Sequence, residues 1–149
     1  MDILLDNSDE SCEFIKDSVI FKEGDIPEAF YIIKSGSVRC LKWNDKRLSP
    51  VFTATEGDIV GEDCVLSDSN KYFYSAVALS NCSLIRVEKN DVFKYLNSQS
   101  PWVRMILDNL SEKIQHTTEV IAEHGIKDDA LLKNLDFSQE EEVLFKGKL

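Results

Sequence analysis

Few side chains in this sequence can make or break bonds. The two histidines, His116 and His124, fall in one long helical stretch and read as solvated positions. The four cysteines, Cys12, Cys40, Cys64 and Cys82, stand far apart with no C-x-x-C pair, so they read as free thiols in a reducing cytoplasm. Cys64 has no neighbouring cation or second cysteine to lower its pKa and is assigned no redox role. Neither a metal cluster nor a catalytic triad can be assembled from this inventory, so no catalytic residue is assigned and no enzyme is expected. Side chains suited to recognition rather than to bond-making also occur, among them a group around two turns: Gly61, Glu62, Asp63 and Cys64, then Lys71, Tyr72, Phe73 and Ser75. Its chemistry is recognition: a glycine that turns sharply, carboxylates that accept hydrogen bonds, one ammonium, and rings able to stack on a flat ligand.

Composition and pattern indicate the elements that must position this group. The 149 residues make one domain of ordinary size, and 43% apolar with 30% charged residues is a globular balance. Lysine and arginine number 17 against 27 aspartates and glutamates, a formal charge of -10. That acidity argues against a nucleic-acid partner, which needs clustered Lys and Arg, but it permits one small anion in a local field. No run approaches the ~20 apolar residues of a membrane helix, and the acidic start Met1–Asp6 is no signal peptide. A cytoplasmic protein without membrane contact is expected.

The fold class expected is mainly β with C-terminal helices: a β-roll or jelly-roll barrel of about eight strands, then a short helix and a long helix. β-branched and aromatic runs recur between turn residues over Phe14–Ile15, Val19–Phe21, Phe30–Ile33, Val38–Trp43, Pro50–Thr55, Ile59–Val60, Tyr72–Leu79 and Ser83–Val87. On the fourth run Val38, Cys40 and Lys42 alternate with Arg39, Leu41 and Trp43, so both faces are partly covered. The period then changes. Lys89–Leu96 reads as a short helix, and Ser100 with Pro101 forms an N-cap and first-turn pair. From there Val103, Ile106, Leu110, Ile114, Thr117 and Ile121 make a helical stripe of about six turns, with Gly125 as its stop. Trp102, Met105 and Val120 broaden that face beyond what one sheet edge covers. Residues 1–125 are read as the domain. Residues 126–149 are read as an acidic, partly ordered tail with amphipathic pieces around Ala130–Leu135 and Val143–Phe145.

Three segments in this order carry a resemblance: Val19-Ile-Phe-Lys-Glu-Gly-Asp25, Ala29-Phe-Tyr-Ile-Ile-Lys-Ser-Gly-Ser-Val38, and Gly57-Asp-Ile-Val-Gly-Glu-Asp63. They are similar to the turn and strand motifs of cyclic nucleotide-binding domains, and the likeness covers about residues 12–125. It implies cyclic AMP or cyclic GMP as ligand, with no other cofactor. Glu62 would accept a ribose hydroxyl, and a helical turn over Asp63–Leu66 would aim backbone N–H groups at the phosphate. The family's Arg, about ten residues beyond that Glu, pairs with the cyclic phosphate. In this sequence the tenth residue is Tyr72, and no Arg stands between Val51 and Ser83. Lys71 is the nearest cation and lacks the guanidinium fork. On a strand it faces away from residue 72. Asp63 is itself a carboxylate that could take the N–H groups meant for phosphate, as a helix-end cap or a solvated group.

The ligand-binding set read from the resemblance is therefore Gly61, Glu62, Asp63, Cys64, Lys71, Tyr72, Phe73 and Ser75, with no metal. The stripe from Val103 to Ile121 is read as a homodimer helix, as the family pairs it. The function expected is a non-catalytic sensor that signals to a protein partner through its long helix and tail. The alternative is a ligand-free scaffold that uses the same roll for protein contact.

Overall fold

In the computed structural model, residues 11–67, 69–124 and 137–149 are described. Among them are eight strands: β1 (Ser11–Phe14), β2 (Val19–Phe21), β3 (Ala29–Ser35), β4 (Ser37–Asn44), β5 (Arg47–Thr55), β6 (Ile59–Val60), β7 (Ser75–Ala78) and β8 (Cys82–Glu88). Four helices accompany them: α1 (Glu62–Leu66), α2 (Lys89–Asn97), α3 (Pro101–His124) and α4 (Gln139–Lys146). The strands form two antiparallel sheets in the orders β1-β8-β3-β6 and β2-β7-β4-β5. This is the expected β-roll followed by a short and a long helix. Between the sheets lie Ile33, Val38, Cys40, Tyr74, Ala76 and Leu84, all buried.

The seventh run is shorter than its residue types suggest. Tyr72–Tyr74 does not continue β7, because other groups take its backbone bonds. Tyr72 pairs with the turn at Gly24–Asp25: its carbonyl accepts the Gly24 N–H at 2.9 Å, and its N–H donates to the Asp25 carbonyl at 2.8 Å. Phe73 then donates its N–H to Cys64 Sγ at 3.2 Å, and its carbonyl accepts from Lys42 Nζ at 2.7 Å.

Both faces of β4 are covered, as its alternation implies. Val38 and Cys40 enter the core between the sheets, while Leu41 faces outward and meets α4. There Phe145, 1% exposed, packs with Leu41, Leu48 and Val77. A capping box of Ser138 and Glu141 starts α4. Arg39, buried on β4, holds Glu141 at 2.8 Å, and the Leu48 N–H reaches Glu142 at 3.1 Å. Lys146 and that N–H hold the Glu142 carboxyl below its usual range. The amphipathic piece at Val143–Phe145 is thus a docked helix, while the one at Ala130–Leu135 and the stop at Gly125 lie outside the described residues.

On α3 the expected stripe divides. Of its residues only Ile121 is buried, beside Ser111, Thr118 and Ala122, which the stripe did not include, whereas Trp102, Met105, Ile106, Leu110 and Ile114 stay 45–60% exposed. Asn44, at the end of β4, donates to the Ala122 carbonyl at 3.2 Å and ties the last turn of α3 to the β4–β5 hairpin.

Truncating Phe145 to Ala leaves a cavity under α4 and is expected to cost about 3–5 kcal/mol of stability. Urea unfolding of the full chain measures this as a lower midpoint, and an unchanged midpoint would mean that α4 does not dock in solution.

Candidate ligand-binding site

Gly61 begins α1 in the left-handed region, at φ 84. A Cβ there would stand 3.1 Å from the Tyr72 ring and 3.4 Å from that of Phe21, so close approach as well as conformation calls for glycine. Its N–H donates to the Tyr74 hydroxyl at 2.8 Å, entirely inside the protein. The Tyr72 ring stacks on Phe21 with centroids 4.0 Å apart, and its hydroxyl donates to the Ala29 carbonyl. The position where the family carries its Arg is therefore part of the core.

Asp63 is 1% exposed, so it is not a solvated group. Its Oδ1 accepts from the Cys64 thiol at 3.5 Å, and its Oδ2 has no hydrogen-bond partner among the described residues. Burial raises its pKa, and Lys42 opposes that rise. Lys42 is buried as well. It pairs with Glu23 at 2.9 Å and lies 3.8 Å from the centroid of the Phe73 ring, so it locks the segment after Tyr72. Lys71 is exposed. Ser75 is buried, with its hydroxyl accepting the Glu23 N–H at 2.8 Å. All four cysteines are free, and burial drives the Cys64 thiol far from ionisation. No group of His, Cys, Asp and Glu able to hold a metal occurs among the described residues.

The cavity beside this turn is about 510 Å³ and lies between β5 and α3. β5 contributes Val51, Phe52, Thr53 and Ala54 to its wall. α3 contributes Leu110, Ile114, Thr117, Thr118 and Ile121 from the opposite side. Its charged lining is Asp58, Glu62 and Lys113, the last exposed at the mouth. Glu62 Oε2 is buried without a hydrogen-bond partner among the described residues, and so is Oγ1 of Thr53, a residue 8% exposed. Burial, helped by the neighbouring Asp63, pushes the Glu62 carboxyl up to about 7, against its own N–H.

Of the eight ligand residues expected from sequence, the structure brings only Glu62 to this cavity. Gly61, Asp63, Cys64, Tyr72 and Ser75 are built into the protein, Phe73 packs half-buried beneath Lys42, and Lys71 points to solvent. Sequence reading missed the β5 wall, Lys113 and the buried Lys42. Only the α3 stripe signalled the cavity, through Leu110, Ile114, Thr117 and Ile121.

A family model described as the cyclic nucleotide-binding domain matches residues 12–99. The chain belongs to the cyclic nucleotide-binding domain family. The match ends in the turn between α2 and α3, so α3 and α4 lie beyond it. No curated protein sequence matches this cyclic nucleotide-binding domain. Among solved structures it is similar to the EAL enzyme Bd1971 in a cAMP-bound form, at 27% identity and a TM-score of 0.69, over 76% of this chain and 30% of that one. A cGMP-bound form of the same enzyme gives 28% identity and 0.66, over 71% and 28%. The chain therefore spans less than a third of that enzyme's length. The sensor domain of the transcriptional regulator DNR from Pseudomonas aeruginosa shares the fold at 20% identity and 0.62, over 75% of each chain.

The raised carboxyl makes stability depend on pH. Unfolded, Glu62 ionises near its ordinary 4.5; folded, it keeps its proton to about 7. The folded state binds the extra proton between these values, so stability is full below 4.5 and falls as pH rises through about 7. Asp63, also raised, acts in the same direction. Urea midpoints measured across this range should decline with pH, and Glu62→Gln should flatten the decline.

Proposed function

We propose that this chain is a non-catalytic, cytoplasmic sensor module that holds a small ligand between β5 and α3 and signals through α3. The observation that carries this reading is the cavity itself, walled on one side by α3 and containing a buried, unpartnered Glu62 oxygen. A volume of about 510 Å³ suits a ligand of nucleotide size. Cyclic AMP and cyclic GMP are the ligands to test first, since Bd1971 carries them and each brings a ribose hydroxyl for Glu62. The link to output is physical: Gln115 on α3 reaches the Asp63 carbonyl and the Ser67 hydroxyl, both at 3.4 Å. A ligand that displaces α1 or fills the wall of α3 favours one packing of that helix over another. Cyclic AMP or cyclic GMP at millimolar concentration is expected to raise the melting temperature by several degrees, and Glu62→Ala to abolish the rise. A melting temperature unchanged by cyclic nucleotides and by the parent nucleosides alike would favour the second reading, a ligand-free scaffold, which the buried Tyr72 and Asp63 support by filling the phosphate end of the site.

The output surface we propose is a second copy, joined through the exposed apolar residues of α3. Ile106, Leu110 and Ile114 are 45–50% exposed and continue into the cavity wall, so a partner helix would also close the cavity. Val103 and Thr117 flank this face, while Ile121 packs inward on the roll. Sedimentation of the full chain should show a dimer that Leu110→Glu dissociates; a monomer at high micromolar concentration would reject it.

A further inference from the structure

A cyclic phosphodiester is a permanent anion, and an anion taken from water needs donors or a cation in its place. At the start of α1 one such donor, the Gly61 N–H, is already engaged within the protein. The Gly61 N–H is 2.8 Å from the Tyr74 hydroxyl, and the enclosed Asp63 carboxyl, 1% exposed, accepts from the Cys64 thiol at 3.5 Å through Oδ1 and has no partner for Oδ2 among the described residues. An enclosed carboxyl at this turn opposes the approach of an external anion whenever it is ionised. Tyr72 fills the adjacent space by stacking on Phe21, and the buried Lys42 is held by Glu23 and the Phe73 carbonyl. What the cavity offers instead is an apolar wall from β5 and α3, with two buried oxygens lacking partners, Glu62 Oε2 and Thr53 Oγ1. A carboxylate accepts hydrogen bonds and repels a phosphate, while a hydroxyl serves either as donor or acceptor. Lys113 stands exposed at the mouth, where solvent screens its charge.

Resting on the sensor reading above, we propose that the cavity between β5 and α3 selects an uncharged ligand of nucleoside size over a cyclic phosphodiester. Such a ligand has an aromatic or apolar body for the β5–α3 wall and hydroxyl or amino donors for Glu62 and Thr53. The pH dependence of binding separates the two ligand classes. Asp63 and Cys64 on α1, Cys40 on β4, Tyr74 before β7, Asp58, and Lys113 on α3 face or adjoin Glu62. Burial lifts the thiols and the phenol beyond the neutral range. The carboxyl of Glu62, raised to about 7, therefore changes charge between about pH 6 and about pH 8. Ionised, it grips a neutral donor more strongly and an anion less strongly.

The experiment is calorimetric titration of the full chain with adenosine, guanosine, cyclic AMP and cyclic GMP at both pH values. A nucleoside is expected to bind at least about tenfold more tightly than its cyclic phosphate at the higher pH. Nucleoside affinity should rise with pH while cyclic nucleotide affinity falls. Glu62→Gln should flatten both trends, and Thr53→Val should weaken the nucleoside several-fold. Tighter binding of a cyclic nucleotide, reduced by Lys113→Met, would overturn the inference by placing phosphate on that ammonium, and would leave the sensor reading standing. Binding of none of the four would overturn both.

Discussion

The hydrogen bond from the Gly61 N–H to the Tyr74 hydroxyl, with the Tyr72 ring stacked against the same turn, sets the geometry around which the rest of the site is arranged. It fixes where α1 begins and points Glu62 toward the cavity while Asp63 turns into the protein. It needs a glycine at position 61 on two grounds, the positive φ and the 3.1 Å approach of the Tyr72 ring. A buried donor left without an acceptor costs roughly 1–3 kcal/mol, so the phenol that satisfies this N–H is part of the fold. The same phenol occupies a donor that an incoming anion would otherwise use. Structural stability and anion recognition compete for one backbone group, and here the tertiary contact holds it.

Position and charge in the surrounding shell follow from that competition. Lys42 anchors the Phe73 carbonyl and pairs with Glu23, whose carboxylate also accepts the Trp43 N–H at 2.8 Å. That network joins β4 to the segment after Tyr72 and neutralises the buried ammonium, as burial of a charge demands. On the other side, Gln115 joins α1 to α3 and Asn44 joins α3 to the β4–β5 hairpin. The long helix is thus held at two points along its inner face, and its apolar outer face remains open from Trp102 to Ile114. α4 is clamped separately on the far face of the second sheet by Phe145, the Arg39–Glu141 pair and the Leu48 N–H.

Much of the architecture was legible in local pattern. Turn glycines at 24, 36, 57 and 61 all take positive φ, the conformation that their places between apolar runs imply. The switch from short alternating runs to a 3.6-residue stripe after residue 88 marks where the strands end and the helices start. Ser100 and Pro101 mark the start of α3 because an N-cap and a fixed φ are local requirements. Alternation on β4 implied a strand covered on both faces, though not that Phe145 would do the covering.

Local pattern determined the strands, the turns, the two helices after the roll and the presence of a carboxylate behind Gly61, because each depends on residues within a few positions of one another. Tertiary packing decided the partners. Tyr72 could have lined a cavity or filled a core, and only the ring of Phe21, far away in sequence, makes it core. Asp63 could have faced solvent, and only enclosure makes it a buried acid. The cavity belongs to β5 and α3, elements that meet only after the chain has folded back on itself. Which groups lose water, and therefore which charges change, is a property of enclosure, and enclosure is made by residues distant along the chain.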